Sequence, residues 1–114
     1  LDISGTAKVS VTKEYRKMSS VSDLVGSERC LYTITISSGR DVSNGGELVK
    51  GETITINMTA SGGYWDCDFI SVNGVEVASS VKNGHYCGSL TYTMTITDPV
   101  EIKLVFYETE GIWK

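Results

Sequence analysis

The stretch LTYTMTITDPVEIKLVFY, Leu90 to Tyr107, decides how this chain is read. Leu90, Tyr92, Met94 and Ile96 alternate with Thr91, Thr93, Thr95 and Thr97. Val100, Ile102, Leu104 and Phe106 then alternate with Glu101, Lys103, Val105 and Tyr107. Side chains on a strand point to opposite faces in turn, so a period of two means one buried face and one wet face. Between the runs stands Asp98-Pro99. Proline sets its own φ and restricts the residue before it, which predicts a short corner between two strands.

The same alternation recurs toward the N-terminus. It is carried by Ala7, Val9 and Val11, by Tyr32, Ile34 and Ile36, and by Ile54, Ile56 and Met58. One-sided burial is the habit of antiparallel sheets. The breaks are turn chemistry. Asn73-Gly74 lies between Val72 and Val75, and this dipeptide supplies the two positive φ angles of a tight hairpin. Ile70 and Val72, with or without Phe69, are expected in the core. Asn44-Gly45-Gly46 and Asn83-Gly84 mark two further turns. No segment has a convincing helical period. The best, Ser19 to Ser27 with Ser22 or Asp23 as a cap, is short and β-branched and reads as a loop or one turn. The expected fold is all-β and mostly antiparallel: a small β-sandwich or partly closed barrel of six to seven strands.

The chain's 114 residues suit one domain with a modest core. The formal net charge of −4 argues against nucleic-acid phosphates and anionic membranes as partners. The basic cluster Lys13 to Lys17 is interrupted by Glu14 and Tyr15 and reads as a solvated strand end. No apolar run approaches membrane-spanning length, so insertion is not expected. The first residue is Leu1 rather than Met, which leaves a removed leader and a trimmed chain both open.

From about Leu31 to Tyr107 the chain resembles the bacterial surface repeat domains related to the internalin B-repeat. The resemblance is carried by Tyr32-Thr33-Ile34-Thr35-Ile36, Gly51-Glu52-Thr53-Ile54-Thr55-Ile56, Gly63-Tyr64 and Val72-Asn73-Gly74. Thr91-Tyr92-Thr93-Met94-Thr95-Ile96, then Asp98-Pro99-Val100-Glu101-Ile102 and Phe106, complete it. It implies a non-catalytic β module in a secreted or surface-anchored protein, with related modules in phage particles. It supplies no site residues. It divides the chain into an N-terminal extension with an added strand (1–30), the repeat-like domain (31–107) and a C-terminal tail (108–114).

Candidate chemistry gathers in two loops outside that pattern, Tyr64 to Phe69 and Val81 to Ser89. Asp66-Cys67-Asp68 faces the choice between a metal site with His85 and Cys87, unpaired thiols, and a Cys67–Cys87 disulfide. The bridge is the expected outcome. It closes about twenty residues, stabilising by roughly 3 kcal/mol, and suits the oxidising compartment that the resemblance implies. Cys30 is expected buried and reduced. His85 is the single histidine; a thiol nucleophile at Cys67 or Cys87 would depend on it alone, so no enzyme activity, cofactor or metal is expected. Asp66 and Asp68 read as solvated carboxylates.

Aromatics are the better lead. Trp65, Tyr86 and Trp113 are the candidate binding residues, with Trp65 exposed and Tyr64 buried at the Gly-Tyr corner. The threonine ladder Thr91-Thr93-Thr95-Thr97 suggests lattice or ice recognition, against the plainer fact that threonine is favoured on wet sheet faces. Asn57-Met58-Thr59 matches a glycan acceptor sequon but falls mid-strand. The strand Thr6 to Tyr15 is expected at an edge of its own sheet or added to a neighbour's. The tail pair Ile112-Trp113 is expected to dock on this domain or another copy. The functional expectation is an extracellular or surface module for adhesion or assembly, with a protein or a second copy as partner. Its alternatives are a carbohydrate-binding module and a virion surface protein.

Overall fold

A computed structural model describes residues 5–16, 27–61, 65–79 and 88–108. They form two β-sheets, with one 3-10 turn at Ser27–Arg29. The strands are β1 (Thr6–Arg16), β2 (Cys30–Ile36), β3 (Gly46–Val49), β4 (Thr53–Ala60), β5 (Trp65–Val72), β6 (Val75–Ser79), β7 (Ser89–Thr95) and β8 (Val100–Glu108). The larger sheet runs β3-β1-β8-β5-β6 and the smaller β2-β4-β7. The fold is therefore the expected all-β sandwich, with eight strands rather than six or seven. The additional strand is β3, whose four residues bury only Leu48 and are too few to display a period.

Each sheet turns its apolar alternate residues toward the other. Ile34, Ile54, Ile56 and Met58 of the small sheet have no exposed surface, and neither do Ile70, Leu104 and Phe106 of the large one. Each such side chain contributes about 1.5–3 kcal/mol by leaving water. The Asp98-Pro99 corner carries the chain from β7 in the small sheet to β8 in the large sheet.

β1 lies in the large sheet. Thr6 to Val9 pair with β3, antiparallel, and Val9 to Arg16 pair with β8, parallel, so that only Val9 has both neighbours in register. The strand belongs to its own sheet: β3 covers its start, and among the described residues the stretch from Ser10 on is an edge beside β8. Its stripe explains why: Ala7 and Val9 are buried, while Val9 and Val11 stand beside Val100 and Ile102 in register. The first and last of the described strands thus lie side by side.

Two turns hold this arrangement. Asn73 (φ 52°) and Gly74 (φ 83°) make the two-residue hairpin between β5 and β6, as expected. The Asn73 side chain does more than adopt the turn. Its Oδ1 accepts from the Glu101 N–H at 2.8 Å, and its own N–H donates to the Glu101 carbonyl at 2.9 Å, tying the hairpin to the start of β8. Gly45 (φ 77°) lies so close to β1 that a Cβ there would collide with the Val9 carbonyl oxygen.

Candidate functional site

The residues around Trp65 form a strand, not a loop. Trp65 and Cys67 belong to β5 and pair with Glu108 and Phe106 of β8. A β-bulge between Cys67 and Phe69 shifts the strand's phase. Trp65 and Cys67 face the core before it, and Ile70 and Val72 face the core after it. The bulge also brings Phe69 opposite Val105. Val105 is fully buried, although its place among Glu101, Lys103 and Tyr107 predicted a wet face.

Trp65 is therefore not the exposed binding aromatic expected; it is 1% exposed. Its ring meets Tyr15 edge-on at 5.1 Å between centroids, and Tyr15 lies 6.1 Å from Phe106. Such pairs add about 0.5–1.5 kcal/mol beyond burial. Lys13 stands over Tyr15 and Tyr32 at 5.4 and 5.8 Å from the ring centroids, and donates to the Cys30 carbonyl at 3.2 Å. Arg16 pairs with Asp68 and lies 5.5 Å from the Tyr107 ring centroid. Asp68 is buried, not solvated as expected. This end of the sandwich is an aromatic plug of Tyr15, Trp65 and Phe106, with Lys13 over Tyr15. Lys13 and Tyr15 were legible in principle, because Val9, Val11, Lys13 and Tyr15 continue one period of two; the charges masked it.

The cysteines follow from the same geometry. Cys30 is buried at the start of β2, as expected. Burial pushes its thiol up to about 12, against the opposing pull of Lys13. Burial also raises the carboxyl of Asp66 above its ordinary value. Cys67 has no exposed surface and lies in the core, not in a loop. No disulfide joins the described residues; Cys87, the expected partner of Cys67, lies outside them, as do Tyr64, His85, Tyr86, Ile112 and Trp113. Among the described residues no group of three His, Cys, Asp or Glu side chains is placed to hold a metal ion.

The feature with regular surface chemistry is the outer face of the small sheet. Register sets Thr35, Thr55 and Thr93 in one row across β2, β4 and β7. Thr33, Asn57 and Thr91 form the next, and Leu31, Thr59 and Ser89 the one after. Thr53 and Thr95 add a partial row. Hydroxyls link across strands: Thr53 with Thr95 and Thr55 with Thr93 at 3.4 Å, while Thr91 donates to Asn57 Oδ1 at 2.8 Å. Neighbouring strands stand about 4.8 Å apart and same-face residues about 6.8 Å apart along a strand, so the groups form a lattice. None of these positions is charged, in a chain where 21% of residues are. The Thr91-Thr93-Thr95 ladder is thus one column of a three-strand array. The cross-strand alignment could not be read from the sequence, because register between distant segments has no local signal.

A cleft of about 370 Å³ opens elsewhere, lined by Lys8, Ser10, Asn73, Pro99, Val100 and Glu101. The Asn73 amide oxygen and the Glu101 backbone in it are committed to each other, which makes it a structural junction. Compared with known proteins, the chain matches no family model, no curated protein and no solved structure.

Proposed function

We propose that this domain is a non-enzymatic adhesion or assembly module working outside the cytoplasm, on a cell surface or a virion, through the outer face of its small sheet. The observation that carries the reading is the uncharged array of threonine, serine and asparagine, with Leu31 at its margin, across β2, β4 and β7. Wet sheet faces ordinarily mix in Lys and Glu to stay soluble and single. A neutral, hydroxyl-rich face has little desolvation penalty from ions and can exchange water for a partner's hydrogen bonds. The resemblance of residues 31–107 to bacterial surface repeats supports the extracellular setting. A Cys67–Cys87 bridge belongs to the same proposal, now as a staple reaching from the core of β5.

The carbohydrate-binding alternative rested on Trp65, Tyr86 and Trp113. With Trp65 in the core, it has lost its leading stacking platform. The test compares Thr33→Lys/Thr55→Lys, on β2 and β4 in the middle of the face, with Ser10→Lys on the large sheet. Binding to a panel of cell-surface preparations and to a glycan array is measured for each. The double variant is expected to lose surface binding at least about tenfold, since desolvating an ammonium costs more than one hydrogen bond returns. Ser10→Lys is expected to bind like the parent. Equal binding by all three proteins overturns the proposal, and so does glycan binding that the double variant retains.

A further inference from the structure

The edges of this sandwich are not equally guarded. In the large sheet β3 has four residues and carries Glu47. β6 has five, carries Glu76, and is set off by a shift in register at Ile70/Ser71. The part of β1 beyond β3 carries Lys13, Glu14 and Arg16. In the small sheet the free side of β2 is closed by its own chain at Ile34 and Ile36, and Lys13 Nζ donates to its Cys30 carbonyl. Val42 N–H donates to the Ile34 carbonyl at 2.7 Å, Ile34 N–H to Ser43 Oγ at 2.9 Å, and Ile36 N–H to the Arg40 carbonyl at 3.0 Å. Short strands, charges, bulges and covering loops are the devices that prevent strand addition.

Among the described residues β7 has none of them. Its seven residues, Ser-Leu-Thr-Tyr-Thr-Met-Thr, contain no charge and no proline, and its register with β4 is unbroken. The Ala60 N–H donates to the Gly88 carbonyl at 2.8 Å, which fixes the phase of the ladder. In an antiparallel pair alternate residues bond the same neighbour, so Leu90, Tyr92 and Met94 bond β4. The backbone groups of Ser89, Thr91, Thr93 and Thr95 point away, and no backbone bond to them exists among the described residues beyond the β4 ladder. The inward side chains tell the same story. Leu90, Tyr92 and Met94 are only half-buried, whereas Met58, Ile56 and Ile54 opposite them have no exposed surface.

We propose that β7 is the self-association edge of this protein: two copies pair β7 to β7, antiparallel, about a two-fold axis at Tyr92. This rests on the assembly reading above and names its partner. The strand's composition carries the choice of a second copy over a foreign strand, because it is nearly the same read in either direction. About Tyr92 it places Thr91 against Thr93, Leu90 against Met94 and Ser89 against Thr95. Every cross-strand pair in the two-fold dimer therefore matches hydroxyl with hydroxyl or apolar with apolar, with tyrosine beside tyrosine at the axis. The outward backbone groups of Ser89, Thr91, Thr93 and Thr95 supply about eight inter-chain hydrogen bonds. The two small sheets become one sheet, ordered β2-β4-β7-β7-β4-β2, and the threonine lattice doubles its width. Such a contact is isologous and closes on itself.

Sedimentation or light scattering of the full chain across a concentration series tests this. The protein is expected to move from monomer to twice its mass, without larger species. Thr91→Lys/Thr93→Lys sets lysines directly opposite each other in the dimer, so it is expected to stay monomeric with an unchanged circular dichroism spectrum. Mixing it with Thr91→Glu/Thr93→Glu is expected to restore dimers containing one chain of each. Thr93→Pro, which removes an N–H that the native ladder does not use, is expected to weaken dimerisation at least about tenfold by taking away inter-chain bonds and the space for the partner strand. A parent protein monomeric at about 1 mM, or a dimer that persists in the lysine variant, overturns the proposal. Because surface binding is read separately with Thr33→Lys/Thr55→Lys, failure of dimerisation is distinguishable from failure of adhesion.

Discussion

Asn73 shows how one residue serves two elements. It holds a left-handed turn position and also bonds Glu101 at the start of β8. Asn73→Gly keeps the turn and loses the acceptor, and is expected to cost about 0.5–1.5 kcal/mol in urea unfolding. Asn73→Ala loses the acceptor and strains the positive φ, adding roughly 1–2 kcal/mol. Equal effects from the two variants would show that the side-chain bond, not the backbone angle, dominates. Cys30 makes a prediction about pH. Its thiol rises from 9.0 to about 12 on burial. Below pH 9 both folded and unfolded chains hold the proton, so its contribution is fully present. Between pH 9 and 12 only the unfolded chain ionises, and stability falls by up to about 1.4 kcal/mol per pH unit from this group. Cys30→Ala removes that slope. The stability lost in the variant should therefore be largest below pH 9 and shrink as pH rises through the window; a constant difference would contradict the buried thiol.

At the scale of elements, β5 explains both what the sequence showed and what it hid. Asn73-Gly74 announced its hairpin, because positive φ at two successive residues has a narrow chemistry. Its first half lies outside the repeat pattern and so reads as a loop, and Trp65 and Cys67 are in phase with each other but out of phase with Ile70 and Val72. The bulge at Cys67/Phe69 reconciles the two halves, and a bulge has no reliable local signature. With the phase hidden, Trp65 was placed in water and Asp68 with it. β1 was legible as a strand from its alternation, but its place between β3 and β8 depends on contacts across nearly the whole chain. The threonines of the candidate face were legible one strand at a time and became a site only through register. The Arg16–Asp68 pair spans two of these elements, with Asp68 buried and Arg16 about half exposed. Arg16→Ala removes the guanidinium from a buried carboxylate and is expected to cost about 1–2 kcal/mol, discounted for the exposed arginine. Asp68→Asn in that background should recover part of the loss. Thermal unfolding of the parent, Arg16→Ala, Asp68→Asn and the double variant gives the coupling, and strict additivity would mean the pair does not act as one.

At the scale of the molecule, the two sheets have different tasks. The large sheet pairs β1 with β8 in parallel, and the aromatic plug of Tyr15, Trp65 and Phe106 lies at one end of it. The small sheet carries the uncharged lattice and, at β7, the proposed self-association edge. The proposed surface function belongs to the second, and the first is expected to be one cooperative body that includes β1. Native-state hydrogen exchange, resolved by residue on dilute protein, tests that expectation most directly. The β1 amides that bond β8 should exchange only through global unfolding, with the same free energy as the interior amides of β8 around Ile102 and Leu104, while those of Thr91, Thr93 and Thr95 exchange fast. A β1 that exchanges at the rate of a frayed extension, with β2, β4, β7 and β8 still protected, would contradict the account.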